Sequence, residues 1–326
     1  MPSAFAAGSI SLGLHTHEAT LDRMVSSLRE QARAAETAGF DGVTLSEHHA
    51  GFPGYVPNPL QWSAILLGEL DHAWAAPCPT LLPLRPAAGL VEDLAWLAAA
   101  FPGRVGAGFA VGYHEQDFSV MDSDFSTRAQ RHWAALPGVV AALTGHAGGA
   151  LGADPAVAAL AAAPVPVVSG AGGPVGARRA AAAGAGLLIT SLTDAQHARE
   201  LVDAYRRAGG RGPCMLIRRV WVGRPPGTLE AQVAQYQRAG SNPSWLLQTG
   251  EDPLLSGEPD GIVRRVDADL RESGADALNI RVHLPRAAPE QVLEQIAGLG
   301  REVLQPLRAG GAMPRQEPVA HRAPPL

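Results

Sequence analysis

Residues 9–14, Ser-Ile-Ser-Leu-Gly-Leu, form a short apolar run, and residues 21–38 then carry apolar positions at helical spacing until Gly39 closes them. This strand-then-helix unit recurs along the chain. Strands are predicted over 42–46, 76–82, 104–109, 166–168, 186–189, 214–222 and 277–283, and helices over 60–70, 88–100, 126–143, 175–183 and 289–307. Eight strands alternating with helical stretches predict an α/β chain folded as a closed parallel (β/α)8 TIM barrel rather than an open doubly wound sheet. Residues 1–309 are expected to form that one domain. Residues 310–326, rich in Pro, Arg and Gly without apolar periodicity, are expected to be a disordered tail. The Ala/Gly-biased stretch 141–163 promises no site, and 241–260, with Trp245, lies where such barrels often carry a lid.

Composition narrows the chemistry more than the fold. The chain is 46% apolar and 17% charged, as a buried α/β core requires, and no apolar run is long enough to cross a bilayer. No basic segment precedes an apolar stretch at the start, so a cytoplasmic location is expected. The net charge of −5 offers no basic surplus for nucleic acid and leaves small molecules as the expected ligands. Every basic residue other than histidine is arginine. Schiff-base aldolases, pyridoxal-phosphate enzymes and P-loop NTPases all need a lysine at the reacting centre and are excluded. Cys78 and Cys214 are too few for a disulfide framework and read as reduced core residues.

Reactive groups of such a barrel belong at the carboxyl ends of its strands. After strand one stands His15-Thr16-His17, two imidazoles on one face of an extended chain. A His-x-His can begin a metal site, as in amidohydrolase-type barrels. Strands five, six and eight lack the remaining ligands, so no metal is expected and the pair reads as a pocket wall. Ser46-Glu47-His48-His49 follows strand two, where an imidazole beside a carboxylate suits proton transfer, or a loop satisfied by backbone carbonyls. Ser169-Gly170-Ala171-Gly172-Gly173-Pro174 opens a helix. Its amides and helix dipole suit an anion such as phosphate, with Arg178 and Arg179 a turn further on; a plain glycine turn fits the same residues. After strand four, residues 106–112 are small enough to admit a flat ring, with Tyr113 and His114 at its edge.

Taken in order, these segments resemble the bacterial luciferase-like family of flavin-dependent monooxygenases. The resemblance rests on Ser46-Glu47-His48-His49, on Leu81-Leu82-Pro83-Leu84-Arg85-Pro86 with Glu92-Asp93-Leu94, and on Gly103-Arg104-Val105-Gly106-Ala107-Gly108 with Asp117-Phe118. It continues through Ala277-Leu278-Asn279-Ile280-Arg281-Val282-His283 and Gln291-Val292-Leu293. It implies a TIM barrel with luciferase-like insertions, and that His48 is the catalytic base with Glu47 beside it at the flavin site. Ala110, Val111, His114, Gly170, Ala171, Gly172, Gly173, Arg178, Thr190 and Ser191 are the implied coenzyme set, and His15, His17, His49 and Tyr113 the implied substrate pocket. Two residues depart from the pattern: Val111 replaces a phosphate-contacting arginine, and Ala110 a cysteine beside the reactive flavin carbon. The approach to strand five is also short for the family.

The resemblance implies an oxidoreductase using reduced FMN and dioxygen to oxygenate a small organic substrate. His48 would act as general acid/base and Glu47 would orient it. A separate flavin reductase and a homodimer are implied as well. Two alternatives stay open: a deazaflavin-dependent hydride-transfer enzyme, and a flavin-binding protein whose degenerate site no longer turns over.

Overall fold

Among the residues described by the computed structural model, 3–238 and 254–310, the strands are β1 (Ile10–Gly13), β2 (Gly42–Leu45), β3 (Trp74–Pro77), β4 (Thr80–Leu81), β5 (Ala107–Ala110), β6 (Val167–Gly170), β7 (Gly186–Ile189), β8 (Cys214–Val222), β9 (Leu254–Gly257) and β10 (Ala277–Arg281). Between them run α1 (Leu21–Thr37), α2 (Pro59–Leu67), α3 (Ala87–Ala100), α4 (Glu115–Val120), α5 (Arg128–Leu143), α6 (Pro155–Ala159), α7 (Pro174–Ala182), α8 (Ala195–Arg207), α9 (Leu229–Arg238) and α10 (Pro259–Ser273). After β10 come α11 (Pro289–Leu299), a π-helical turn over Gly300–Leu304, and α12 (Gln305–Ala309).

All the strand pairs are parallel, in the order β3-β2-β1-β10-β8-β7-β6-β5-β4, with β9 added to the end of β8. The two ends of this path are halves of one strand. β3 and β4 flank the cis Cys78–Pro79 bond, where proline has no amide to give to a ladder. Ala75 of β3 bridges Val105 just before β5, and Thr80 and Leu81 of β4 pair with Phe109 and Ala110. The sheet thus curls into the expected barrel.

Alternation along each strand divides its side chains between two cores. Ile10, Leu12, Val43, Leu45, Leu216, Val220, Leu278 and Ile280 pack outward among the helices. Trp74, Ala76, Val168, Leu188, Met215, Ile217 and Ala277 fill the barrel interior with Phe5, whose ring meets Trp74 edge-on at 5.1 Å. Gly42 is glycine because a Cβ there would run into the Trp74 indole. Towards the carboxyl ends the inward positions turn polar: Thr44 and Ser46 on the β2 side, Arg219 on β8, Asn279 and Arg281 on β10.

Several elements differ from the sequence expectation. The third strand is split at Pro79, and the fourth lies at Ala107–Ala110 rather than starting at residue 104. The short helix α4 precedes the predicted helix near 126, and it carries the site's main carboxylate. Residues 254–257 form β9 and α10 begins at Pro259, where a lid was expected; residues 241–253, including Trp245, and the tail beyond 310 lie outside the described residues. No helix among the described residues is long and apolar enough to cross a membrane.

His132 ties α5 to the sheet, sitting fully buried with its Nε2 3.2 Å from Ser169 Oγ on β6. Burial pushes this imidazole down to about 4 from an ordinary value of 6.5. Between those two values the unfolded chain binds a proton that the folded chain refuses, so stability falls as pH drops through that window. For this group the loss is up to ~3 kcal/mol. Urea melts of the parent chain should show stability declining from about pH 6.5 downward, and His132→Gln should flatten that decline by close to one proton. Identical pH slopes for the two proteins would remove His132 as a cause.

Candidate active site

The extended segment after β2 alternates its side chains, so Glu47 and His48 leave the backbone in opposite directions. His48 Nδ1 lies 2.7 Å from Asp117 Oδ2, and the other Asp117 oxygen accepts the backbone N–H of His49 at 2.8 Å. Asp117 comes from the first turn of α4 and is fully buried. With Nδ1–H donated to this carboxylate, His48 Nε2 is left as the acceptor, and the Tyr113 hydroxyl lies 3.3 Å from it. Burial, foremost, holds the Tyr113 phenol well above its ordinary range, so it stays protonated as a donor.

Glu47 therefore does not orient His48, contrary to the sequence expectation. Its carboxylate accepts the Leu81 amide at 2.8 Å and Arg85 Nη2 at 3.0 Å, and lies 2.9 Å from His49 Nε2. The group clamps the β2 loop to β4. His49 is thereby turned to Glu47 and does not line the main cavity.

That cavity, about 250 Å³, opens at the carboxyl ends of the strands. Of the expected residues it brings together Glu47, His48, Ala110, Val111, Tyr113, Gly170, Ala171, Gly172, Thr190 and Ser191. Gly173 caps α7 just beyond, with Pro174 in the first turn, and a Cβ at Gly173 would meet nothing within 4 Å. Space is open at Gly173, at the start of α7, where first-turn amides and the helix dipole suit an anion.

Four further expectations fail on placement. Arg178 is exposed on the outer layer, lining a groove with Glu200, Asp203 and Arg207, because the inward face of α7 is taken by Ala177 and Ala180. His114 is buried behind the wall, edge-on to Phe52 at 4.9 Å, and burial lowers its pKa. His15 is enclosed rather than pocket-lining: its ring stacks on His283 at 4.1 Å, and its Nδ1 lies 3.1 Å from the Gly13 carbonyl oxygen. His17 does line a cavity, but a separate one of about 450 Å³ on the other side of Tyr55. Burial pushes His17 down to about 4.

Sequence reading missed Asp117 as the partner of His48, and it missed Arg219, Arg281, Tyr55 and Tyr236 as cavity-lining groups. The two arginines had a signal: each stands at an inward position of a strand whose neighbours two residues back, Ile217 and Asn279, also face inward. Asp117 was visible only as part of the family resemblance, with Phe118; nothing local joined it to His48, 69 residues away, because it sits on a helix the periodicity did not reveal.

A parallel barrel whose strand ends open on a largely apolar cavity with a few polar groups, lined by an imidazole that a buried carboxylate holds, is the architecture of a barrel enzyme. The chain belongs to the luciferase-like monooxygenase family, a family of oxidoreductases, whose family model matches residues 5–299. An alkanal monooxygenase alpha chain from the Kryptophanaron alfredi symbiont is 30% identical over 103 residues, which cover 32% of this chain and 29% of that relative. The barrel is also similar to the FMN complex of the oxygenating constituent of 3,6-diketocamphane monooxygenase from Pseudomonas putida, a type II Baeyer-Villiger monooxygenase. There the TM-score is 0.71 at 15% identity, over 92% of this chain and 98% of that one. An F420-dependent secondary alcohol dehydrogenase bound to an F420-acetone adduct matches at a TM-score of 0.68 and 16% identity, over 91% and 98%.

The Glu47 clamp makes a stability prediction independent of chemistry. Glu47→Ala leaves the buried Leu81 amide without its acceptor and removes the carboxylate beside Arg85, which keeps only the Pro57 carbonyl, and should lower the unfolding free energy by about 3 kcal/mol. A urea melt of Glu47→Ala within about 1 kcal/mol of the parent would show that the clamp contributes little.

Proposed function

We propose that this chain is a flavin-dependent monooxygenase that uses reduced FMN and dioxygen to oxygenate a small organic substrate. The observation that carries this reading is the buried Asp117–His48–Tyr113 chain facing the cavity floor of Ala110, Gly170 and Ala171. The residues fit a flat ring with an anionic tail. Ala110 and Val111 leave the β5 rim without bulk, and a Cβ at Gly170 would come no nearer than 3.6 Å to the Phe109 carbonyl oxygen. Gly172, Gly173 and the first-turn amides of α7 would hold the phosphate, with Thr190 and Ser191 facing the ring. No arginine is needed at position 111 for that binding mode.

When bound, the flavin supplies the oxygen chemistry. The protein's own part is proton handling and exclusion of water. Asp117 fixes the tautomer of His48, so that Nε2 takes a proton from the reacting group or returns one, with Tyr113 as its neighbouring donor. The rings of Phe52, Tyr55 and Tyr236, packed 5.0–6.2 Å apart, wall that imidazole from solvent. A separate reductase supplying reduced FMN and a homodimeric assembly belong to the same proposal. The deazaflavin alternative is supported by the second of the two fold neighbours, which binds that coenzyme.

Anaerobic titration with reduced FMN and with the reduced deazaflavin coenzyme, followed by air, distinguishes these readings. Tight FMN binding with substrate-dependent oxygen uptake is expected. Tight deazaflavin binding with reoxidation by substrate alone would replace the monooxygenase, and binding without turnover on any substrate would leave a passive flavin carrier. His48→Ala and Asp117→Asn should each lower kcat by about 10²- to 10⁴-fold while reduced FMN binds within about twofold. Turnover unchanged in His48→Ala would remove the imidazole from the mechanism.

A further inference from the structure

Arg219 and Arg281 stand side by side across the β8–β10 pair, in register, and both point inward to line the cavity that contains His48. They are 3% and 7% exposed, so two guanidinium groups are held out of water at the same cavity. A guanidinium keeps its proton in proteins, and a buried cation ordinarily has a carboxylate beside it. Neither has one among the described residues. Arg219 donates to Ser191 Oγ at 3.2 Å, to the His283 carbonyl oxygen at 3.3 Å and to Gln232 Oε1. Arg281 donates to Ser46 Oγ at 3.2 Å and to Asn279 Oδ1 at 3.4 Å. Every one of these acceptors is neutral.

The carboxylates nearest the cavity are engaged elsewhere, Glu47 with Arg85, His49 and the Leu81 amide, and Asp117 with His48 and the His49 amide. Arg218, the neighbour that points outward, does have its carboxylate, Asp269 at 2.5 Å. The uncompensated charge is also felt behind the wall. The stacked His15 and His283 are held well below the ordinary imidazole range, mainly by burial, with Arg281 and Arg219 pushing the same way.

We propose that Arg219 and Arg281 form an anion subsite that receives the carboxylate of the substrate, so that the enzyme acts on small organic acids. Two guanidinium groups on adjacent strands offer the charge and the N–H donors that a carboxylate takes, in the same cavity as His48. The phosphate loop lies elsewhere on the rim, after β6, which leaves β8 and β10 to the second ligand. The fate of the acid rests on the monooxygenase reading; its capture does not.

Benzoate and benzamide, nearly equal in shape and different in charge, are the probes, titrated calorimetrically into the full chain with and without FMN. Benzoate should bind at least about tenfold tighter than benzamide, a difference of about 1.4 kcal/mol. It should also bind together with FMN. Arg219→Gln and Arg281→Gln should each weaken benzoate about tenfold or more, with FMN and benzamide changed less than about twofold. Equal binding of the two probes by the parent chain overturns the subsite without any variant being made. Strict competition between benzoate and FMN, or variants that weaken FMN but not riboflavin, assign the arginines to the coenzyme and overturn the substrate assignment. A chain that binds benzoate in the predicted way but no flavin sinks the monooxygenase reading and leaves the anion subsite standing.

Discussion

A closed parallel barrel obliges each strand to send alternate side chains into a narrow interior, and the arrangement at this mouth follows from that two-residue period. Below, the inward positions are apolar or small: Met215 and Ile217 on β8, Ala277 on β10, Trp74 over Gly42. Two to four residues further along the same faces the chain leaves the packed interior, and the inward positions become Arg219 on β8, Asn279 and Arg281 on β10, and Thr44 and Ser46 on the β2 side. The helices cover the outward faces and have no part in this switch. Polar chemistry is thus confined to one end of the ring by geometry before any particular side chain is chosen.

Charge at the mouth is distributed unevenly. The buried carboxylates Glu47 and Asp117 are each fully subscribed, one closing the β2 loop onto β4, the other joining that loop to α4. Their work is to hold a shape: Glu47 holds the loop, and Asp117 gives the His48 ring its orientation and tautomer beside Tyr113. The cations Arg219 and Arg281 have only neutral acceptors. A desolvated charge without a counter-charge is costly in an empty site and favourable in a filled one. The stability of this barrel and its taste in ligands are therefore linked through the same two strands.

The second cavity, beyond Tyr55, changes how the histidines should be viewed. His15 and His17 lie on one face of the chain, as their spacing requires, yet Tyr55 and His283 separate them from His48. The His15–His283 stack belongs to the wall between the two spaces. A motif at a strand end identifies the mouth of the barrel, and the loops then decide which compartment of that mouth it serves.

Hydrophobic period was enough to place the eight barrel strands, the helices α1, α2, α3, α5, α7 and α11 and the carboxyl-end loops, because burial at periodic positions is written locally in each segment. It was enough, too, to put His48, Ala110, Val111, Tyr113, Gly170, Ala171 and Gly172 near one another, since a barrel brings every strand end to the same face. The partners were not legible. Adjacency in the chain suggested Glu47 for His48, but an extended backbone points neighbours apart, and the true partner Asp117 arrives from 69 residues away. The same holds for Arg219 and Arg281, made neighbours only by the β8–β10 register. The sequence by itself determined which residues reach the mouth; tertiary structure decided which of them touch, because hydrogen bonds and ion pairs there span strands and loops that no local pattern connects.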